Sequence, residues 1–218
     1  MFKYFIIQPL KNKPGHKLDK FLETTKNELY DFFNINVEHP YIFFLNSRKD
    51  IDKIWNKKTE SWLCAWAKNG DIFILNPKIY AKESNHEIKH FWQTIKHEYC
   101  HLYFNKLTGV TCPKWLNEGL ACYLAGQIKK TPTQDEAMKV FEYFEKNDRE
   151  IYSIGYFWVK ILIKKFGKKV FLKFLKELKP GLNERKFRII FYKVYKIKFS
   201  KNSLSILFQD GVLNENTK

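Results

Sequence analysis

Hydrophobic residues follow two different patterns in the two parts of the chain. In the first third they fall in short runs, and "YIFFLN" (41–46) and the stretches on either side of the turn signal Asn69-Gly70 are typical of strands. Two other segments have helical spacing, residues 16–34 and a short stretch after Ser47, which is suited to a helix N-cap. This part therefore predicts a small sheet with accompanying helices.

From about residue 84, apolar positions recur every three or four residues, which is the period of a helix. The first helix of this region is long and ends at Gly109, and Pro113 is suited to the first turn of the next one. Further helices are predicted over 138–146, 153–166, 168–178 and 184–195. The sequence thus predicts an α+β fold, in which a small N-terminal mixed sheet precedes a mainly helical C-terminal half.

The chain has 218 residues and neither an internal repeat nor a low-complexity linker, so we expect one domain over 1–218. Within it, a sheet-containing lobe is predicted over 1–83 and a helical lobe over 84–218. The composition, 44% hydrophobic and 17% aromatic, is that of a globular protein and excludes a disordered chain.

Features of localisation are weak but consistent. No stretch reaches the roughly 18–20 apolar residues that a bilayer-spanning helix needs, so no transmembrane segment is predicted. The opening "MFKYFIIQPLKNK" has a short apolar run, "YFII", and no small-residue cleavage site follows, which argues against a secretory signal. We therefore expect a cytoplasmic protein.

The cysteines show no C-x-x-C pair and no spacing typical of a disulfide framework; they are Cys64, Cys100, Cys112 and Cys122. In a cytoplasmic chain this pattern favours reduced and mostly structural thiols. A metal-binding role for Cys100 and Cys112, which flank the candidate site described next, is the alternative.

The net charge of +16 is concentrated in one region of the chain. Fifteen Lys or Arg and only two acids lie between Lys160 and Lys201, a net charge of +13. Such a surface attracts nucleic acid, anionic membranes or acidic proteins. The lysines alternate with apolar residues at helical spacing, which favours a solvated helix face over a nucleic-acid-binding run.

One short motif carries candidate chemistry, "HEYCH" at residues 97–101. With six histidines in the chain, composition alone gives roughly 0.01 expected matches to H-E-x-x-H. Residues four apart on a helix are turned only ~40° from each other, so His97 and His101 point the same way and could hold one zinc ion. Glu98 would lie beside the metal, where it could accept a proton from water.

A catalytic zinc ion needs a third protein ligand and one open position. Glu118, within "PKWLNEGLACYLAG" (113–126), is on the next predicted helix, with sixteen residues between it and His101. Together with "HEYCH", this segment resembles the gluzincin metallopeptidases, whose third zinc ligand is a glutamate on the second helix. "WLNEG" is similar to the aminopeptidase branch, and the whole segment is similar to small gluzincin-like families with the pattern W-x-x-E-G-x-A-x-Y.

The resemblance covers roughly residues 41–178 and implies a zincin-like fold with Zn²⁺ as cofactor. It implies that His97, His101 and Glu118 are the zinc ligands and that Glu98 is the general base. The expected activity is hydrolysis of peptide bonds in proteins or peptides.

Gluzincins also need a donor for the developing oxyanion, often a tyrosine downstream in a "Y-x-x-G" context. "YSIG" at 152–155 makes Tyr152 the candidate here, with Tyr156 as second choice. Tyrosine also serves as core filler, which is the alternative interpretation of Tyr152.

The aminopeptidase segment "G-x-M-E-N", whose acid holds the free amine of the substrate, is absent. We expect "DIFIL" (71–75) to be the corresponding edge strand, and it has no glutamate. An edge strand can still bind an extended polypeptide by strand addition, which favours an endopeptidase. The basic region downstream further predicts basic cleft walls and a preference for acidic residues near the cut.

Two alternatives remain open. His86, His90, His97 and His101 all fall within one narrow stripe of the predicted long helix. His86 and His90 serve either as capping and solvent-exposed residues near the helix start, or His90 forms part of the cleft wall. For the whole chain, the alternative is a catalytically silent gluzincin-like binding module, whose basic C-terminal half contacts nucleic acid or acidic protein.

Overall fold

Three short strands and a larger set of helices form the part of the chain that the computed structural model describes, residues 16–146 and 148–213. The opening segment at 1–13, in which the sequence predicts no secretory signal, lies outside the described residues. The first elements in chain order are helix α1 (His16–Phe33), strand β1 (Ile42–Leu45), helix α2 (Arg48–Trp55), strands β2 (Ala65–Lys68) and β3 (Asp71–Leu75), and helix α3 (Pro77–Glu83).

The strands form one mixed sheet in the order β1-β3-β2. β1 runs parallel to β3 with Ile42 opposite Ile72, and β2 runs antiparallel to β3 with Ala67 opposite Ile72. The expectation that 71–75 forms an edge strand is therefore wrong, because β3 is the central strand. β3 pairs with a strand on each side, whereas β2 is an edge. Ile72 and Ile74 on β3 are both fully buried.

The remaining elements are helical. They are a 3₁₀ turn (Ile88–His90), helix α4 (Phe91–Thr108), helix α5 (Lys114–Leu124), helix α6 (Gln134–Met138) with a 3₁₀ turn (Lys139–Glu142), helix α7 (Glu150–Glu177), helix α8 (Glu184–Tyr195) and helix α9 (Lys201–Leu213). The prediction of an α+β fold with a small mixed sheet followed by helices is confirmed.

Local capping chemistry sets several of the boundaries. The Ser47 side chain accepts a hydrogen bond from the Asp50 N–H at the start of α2, as predicted. Gly109 ends α4 with φ of 68°, in the left-handed region that glycine adopts without strain. The predicted helix over 138–146 is wrong: Thr133 and Glu136 form a capping box that starts α6 earlier, and it ends at Met138.

The long helix that carries "HEYCH" begins at Phe91, so the expected stripe of four histidines on one helix is also wrong. His86 precedes the 3₁₀ turn, and its Nε2 is hydrogen bonded to the Trp62 carbonyl oxygen at 3.0 Å. His90 is the N-cap residue of α4.

Buried apolar residues form two clusters, and α4 belongs to both. The sheet cluster packs β3, α2 and α3 against the start of α4, where Phe91 and Ile95 are buried. The helical cluster surrounds α5, α7 and α8 and takes in Tyr99 and Phe104 from the second half of α4. Among the described helices, none is long and apolar enough to cross a membrane.

Candidate metal centre

A close helix crossing places α5 beside α7 at the centre of the molecule. A Cβ atom on Gly119 would lie 2.2 Å from the Gly155 carbonyl carbon, and a Cβ on Gly155 would lie 2.1 Å from the Trp115 oxygen. The two backbones therefore touch directly, which only glycine permits. This contact brings Glu118, next to Gly119 on α5, into the same cleft as Tyr152, one turn before Gly155 on α7.

The side chains of His97, His101 and Glu118 converge in this cleft. Glu118 Oε2 lies 3.1 Å from His97 Nε2 and 3.5 Å from His101 Nε2. Ligand atoms 2.0–2.1 Å from a tetrahedral zinc ion are separated by about 3.3–3.4 Å, so these two distances fit two edges of such a tetrahedron. One ligand atom each of His97, Glu98 and His101 also lies within 4.8 Å of the others.

In each imidazole the other ring nitrogen, Nδ1, is hydrogen bonded to an amide oxygen. His101 Nδ1 lies 2.7 Å from Asn117 Oδ1, and His97 Nδ1 lies 3.1 Å from Gln127 Oε1. The Asn117 orientation is supported by its Nδ2, which donates to the Thr111 carbonyl oxygen. Because an amide oxygen can only accept, each Nδ1 carries the proton and each Nε2 presents a lone pair to the cleft.

This arrangement suits a metal ion. Two Nε2 lone pairs face one carboxylate, so the site needs either extra protons or a cation between these atoms. Two imidazoles and one carboxylate, on the wall of an open cleft, form a ligand set found in catalytic zinc sites. The residues present therefore fit zinc.

The pKa shifts of these side chains describe the same arrangement in metal-free protein. Burial by itself lowers the pKa of both imidazoles, but hydrogen bonds to Cys122 and Glu118 raise the pKa of His97 well above its ordinary value. The Glu118 charge raises the pKa of His101 in the same way. Burial opposes ionisation of Glu118, yet the two imidazoles hold the pKa of its carboxyl far below the usual range.

Glu98 has a different environment. Its side chain is buried next to the edge strand, and this burial raises the pKa of its carboxyl, while His101, His97 and a hydrogen bond from the Ala67 backbone act in the opposite direction. A carboxyl with a raised pKa is suited to taking up a proton and releasing it again.

The side chains of Tyr152 and Tyr156 lie in different surroundings. The Tyr152 ring lies in the cleft wall, 6.1 Å from the His97 ring and edge-on to Trp62 at 6.4 Å. Burial strongly raises the pKa of the Tyr152 hydroxyl, so it remains a proton donor at neutral pH. Tyr156 lies against Tyr123 at 6.3 Å and is not among the described residues that line the cleft.

The cleft has a volume of about 430 Å³. None of the lysines between 160 and 201 is among the described residues that line it, so the prediction that this region supplies basic cleft walls is wrong. These lysines lie on α7, on α8, at the start of α9 and on the segments between these helices. The cleft lysines are Lys57, Lys58 and Lys114.

Several residues around the centre have no distinctive sequence signal. Asn117 precedes Glu118 in the quoted motif, but Gln127 lies beyond the end of α5, and only the tertiary structure brings it to His97. Cys122, not Cys100 or Cys112, contacts His97, with Sγ 3.8 Å from Nδ1. The cysteines, all within the described residues, are free, as predicted.

Comparisons with protein-family models, with curated proteins and with solved structures find no match to this chain. The interpretation of the centre therefore depends on its two motifs and its geometry.

Proposed function

We propose that the protein is a zinc-dependent metallopeptidase of the gluzincin type. One observation carries the proposal: two imidazole Nε2 atoms and one carboxylate oxygen meet at the distances of a zinc site, with a second buried carboxyl beside them. His97 and His101 lie on α4 and Glu118 lies on α5, next to the edge strand of a small mixed sheet, and this placement supports a zincin-like fold.

His97, His101 and Glu118 would hold the ion, with Asn117 and Gln127 fixing the two imidazole rings. A bound zinc ion would polarise the scissile carbonyl and acidify water at the open position.

The other residues supply proton transfer and charge stabilisation. Glu98 accepts a proton from the attacking water and passes it to the leaving amine, which is the role its raised pKa suits. The Tyr152 hydroxyl donates a hydrogen bond to the oxygen on which negative charge develops.

The shape of the cleft favours internal peptide bonds. β2 is an edge strand and lines the cleft through Ala65 and Ala67, so an extended substrate can pair with it. Of the described cleft residues, Glu60 is the only carboxylate besides Glu98 and Glu118, and it is exposed. Apart from the two acids of the centre, no buried acid among the described cleft residues is placed to hold a free amino terminus, which supports an endopeptidase.

The test combines metal analysis with one conservative substitution. The purified protein should contain or take up one zinc ion per chain and cleave N-acetylated peptides, and a chelator should abolish cleavage. Glu98→Gln should keep the zinc and lose at least about 100-fold in kcat, since a general base contributes roughly 10²–10⁴.

Two results would contradict the proposal. Protein that neither contains nor takes up zinc rules out the metal centre, and an active Glu98→Gln variant rules out the base. Cleavage restricted to peptides with a free amino terminus would make the protein an aminopeptidase.

A second candidate function is favoured by the basic surface. Lysines along α7 and α8, including Lys168, Lys169 and Lys173, are exposed and separate from the cleft. We propose as the second candidate a binding module that contacts nucleic acid through these lysines, independently of the centre. A steep linear fall of log affinity with log salt on DNA or RNA would support this role, and no binding at low salt would exclude it.

A further inference from the structure

The cleft beside the metal centre has an aromatic wall. Trp55, Trp62, Trp66 and Tyr152 all line it. Trp55 is 43% exposed and meets the Trp66 ring edge-on at 5.8 Å, while Trp62 meets Tyr152 edge-on at 6.4 Å. Two perpendicular ring pairs give a wall that can accept another flat apolar ring by offset or edge-on stacking.

Positive charge surrounds the same wall. Lys57 and Lys58 lie two and three residues after Trp55 in the sequence, and Lys114 lines the cleft from the start of α5. Lys129 adds a fourth positive group, 5.8 Å from the centre of the Tyr152 ring. Glu60 is the only described carboxylate in the wall outside the metal centre. The field in the cleft therefore attracts carboxylates of a bound peptide.

The segment 57–63, which contributes Lys57, Lys58 and Trp62 to the cleft lining, has no regular secondary structure, yet several hydrogen bonds hold it in place. The Arg48 guanidinium donates hydrogen bonds to the carbonyl oxygens of Glu60 and Ser61 at 3.1 Å and 3.0 Å, and also to that of Leu63. The partly buried Arg48 side chain thus fixes the backbone of this cleft-lining segment.

Two further contacts hold the same segment. The Asp52 carboxylate accepts hydrogen bonds from the Thr59 N–H at 2.8 Å and the Thr59 hydroxyl at 2.6 Å. His86 holds the Trp62 backbone oxygen. The wall is therefore preorganised, so a bound peptide does not have to order it.

From these features we infer that the cleft selects acidic polypeptide segments with an aromatic side chain beside the scissile bond. The inference rests on the proposed peptidase function. In it, the tryptophan wall takes the aromatic ring, and Lys57, Lys58 and Lys114 meet the flanking carboxylates. The specificity comes from the stretch between Trp55 and Trp66 together with Lys114, and not from the basic C-terminal helices.

The test uses three doubly blocked peptides. The first has a central phenylalanine flanked by glutamates, the second has glutamines in place of the glutamates, and the third has alanine in place of the phenylalanine. The first should have the highest kcat/KM, and each change should lower it at least about tenfold.

Charge-reversal variants test which lysines recognise the glutamates of the peptide. Lys57→Glu with Lys58→Glu should lower kcat/KM on the first peptide at least about tenfold and lower it much less on the second. Lys169→Glu with Lys173→Glu changes the net charge equally, but on α7 and outside the described cleft lining, and should leave both values unchanged. Trp55→Ala should reduce the preference for phenylalanine over alanine.

Binding to the Glu98→Gln variant separates this inference from the proposed function. Its affinity for the three peptides, measured by fluorescence anisotropy without turnover, should follow the same order. If the wild type cleaves all three peptides equally and both lysine pairs behave alike, the inference is wrong and the peptidase stands. If nothing is cleaved but the variant binds with the expected order, the peptidase is wrong and the selectivity stands.

Discussion

At the scale of single residues, His97 and His101 are oriented by neutral amides and not by carboxylates. Asn117 and Gln127 accept the Nδ1 protons of His101 and His97, and so both rings direct Nε2 toward Glu118. Partners of this kind fix the tautomer and the ring orientation of a metal-ligating imidazole. They should therefore contribute to zinc affinity without touching the ion.

Replacing Asn117 tests this role. Asn117→Leu removes the acceptor at similar size and should weaken zinc binding by about 10–100-fold, because His101 loses its orientation. Asn117→Asp keeps an acceptor oxygen and should retain most of the affinity. Zinc affinity is measured by competition with a chromophoric chelator. Equal affinities of the two variants would show that the amide does not position His101.

Tyr152 and Tyr156 offer a matched pair. Tyr152→Phe removes the hydroxyl in the cleft wall and should lower kcat by about 10²–10³, the range for loss of one oxyanion donor, with little change in KM. Tyr156→Phe, next to Tyr123, should have no effect on kcat. A loss smaller than tenfold in Tyr152→Phe would remove the oxyanion role from this residue.

At the scale of elements, the crossing of α5 and α7 determines where Glu118 lies. Gly155→Ala would place a methyl group 2.1 Å from the Trp115 carbonyl oxygen, and backbone cannot move aside as a side chain can. Overpacking of this kind costs about 1–3 kcal/mol of the free energy of unfolding. Since the helices must separate, zinc affinity should fall as well. Chemical denaturation and zinc titration measure the two effects.

Gly211→Ala is the control for this crossing. It overpacks α9 against the Ile161 side chain on α7, away from the metal centre. It should lower the free energy of unfolding by less, because the Ile161 side chain can rotate, and it should leave zinc affinity unchanged. If Gly155→Ala weakens folding but not zinc binding, Glu118 is not positioned by the crossing.

How far the sequence predicts these elements depends on how local their causes are. α8 has the predicted bounds, because the apolar period that predicts it lies within the helix, and Asn183, directly before it, caps its start. The order of the strands does not have a local cause. β1 pairs with β3 across the intervening α2 and β2, so the prediction of an edge strand at 71–75 is wrong. A strand's own residues do not specify which neighbour it will pair with.

The residues of the candidate site are likewise predictable from the sequence where the cause of their placement is local. His97, Glu98 and His101 share one helix, and their spacing alone predicts that they point together. Glu118 also lies where its motif predicts, beside both imidazoles. Gln127 and the cleft-lining segment 57–63 reach the centre only through tertiary contacts, and no spacing in the sequence indicates them.

At the scale of the whole molecule, the buried charges give a pH dependence of stability. In metal-free protein the raised pKa values of His97 and His101 stabilise the fold fully below their unfolded pKa of about 6.5. This contribution is lost as the pH rises through the folded values. Glu98, also with a raised pKa, acts in the same direction, whereas the lowered pKa of Glu118 stabilises the fold above about pH 4.3.

The melting temperature of chelator-treated protein should therefore fall as the pH is raised above about 6.5. Zinc binding needs deprotonated imidazoles, so the stabilisation by added zinc should grow over the same range. The gap between the melting temperatures with zinc and with chelator should widen from pH 6 to pH 8, as followed by scanning fluorimetry. In Glu118→Gln the gap should shrink at every pH. Parallel curves for the wild type would contradict this linkage.

The membership of α4 in both hydrophobic clusters has a consequence for the lifetime of the bound ion. Phe91 and Ile95 anchor one end of the helix in the sheet cluster, and Tyr99 and Phe104 anchor the other in the helical cluster. Neither cluster can open alone and free the helix, so amide hydrogens around His97 and His101 should exchange with solvent only when the whole molecule unfolds. An ion held there would leave through its open cleft position or by movement of α5. Its residence time would therefore depend on how often α5 moves Glu118 away from the ion.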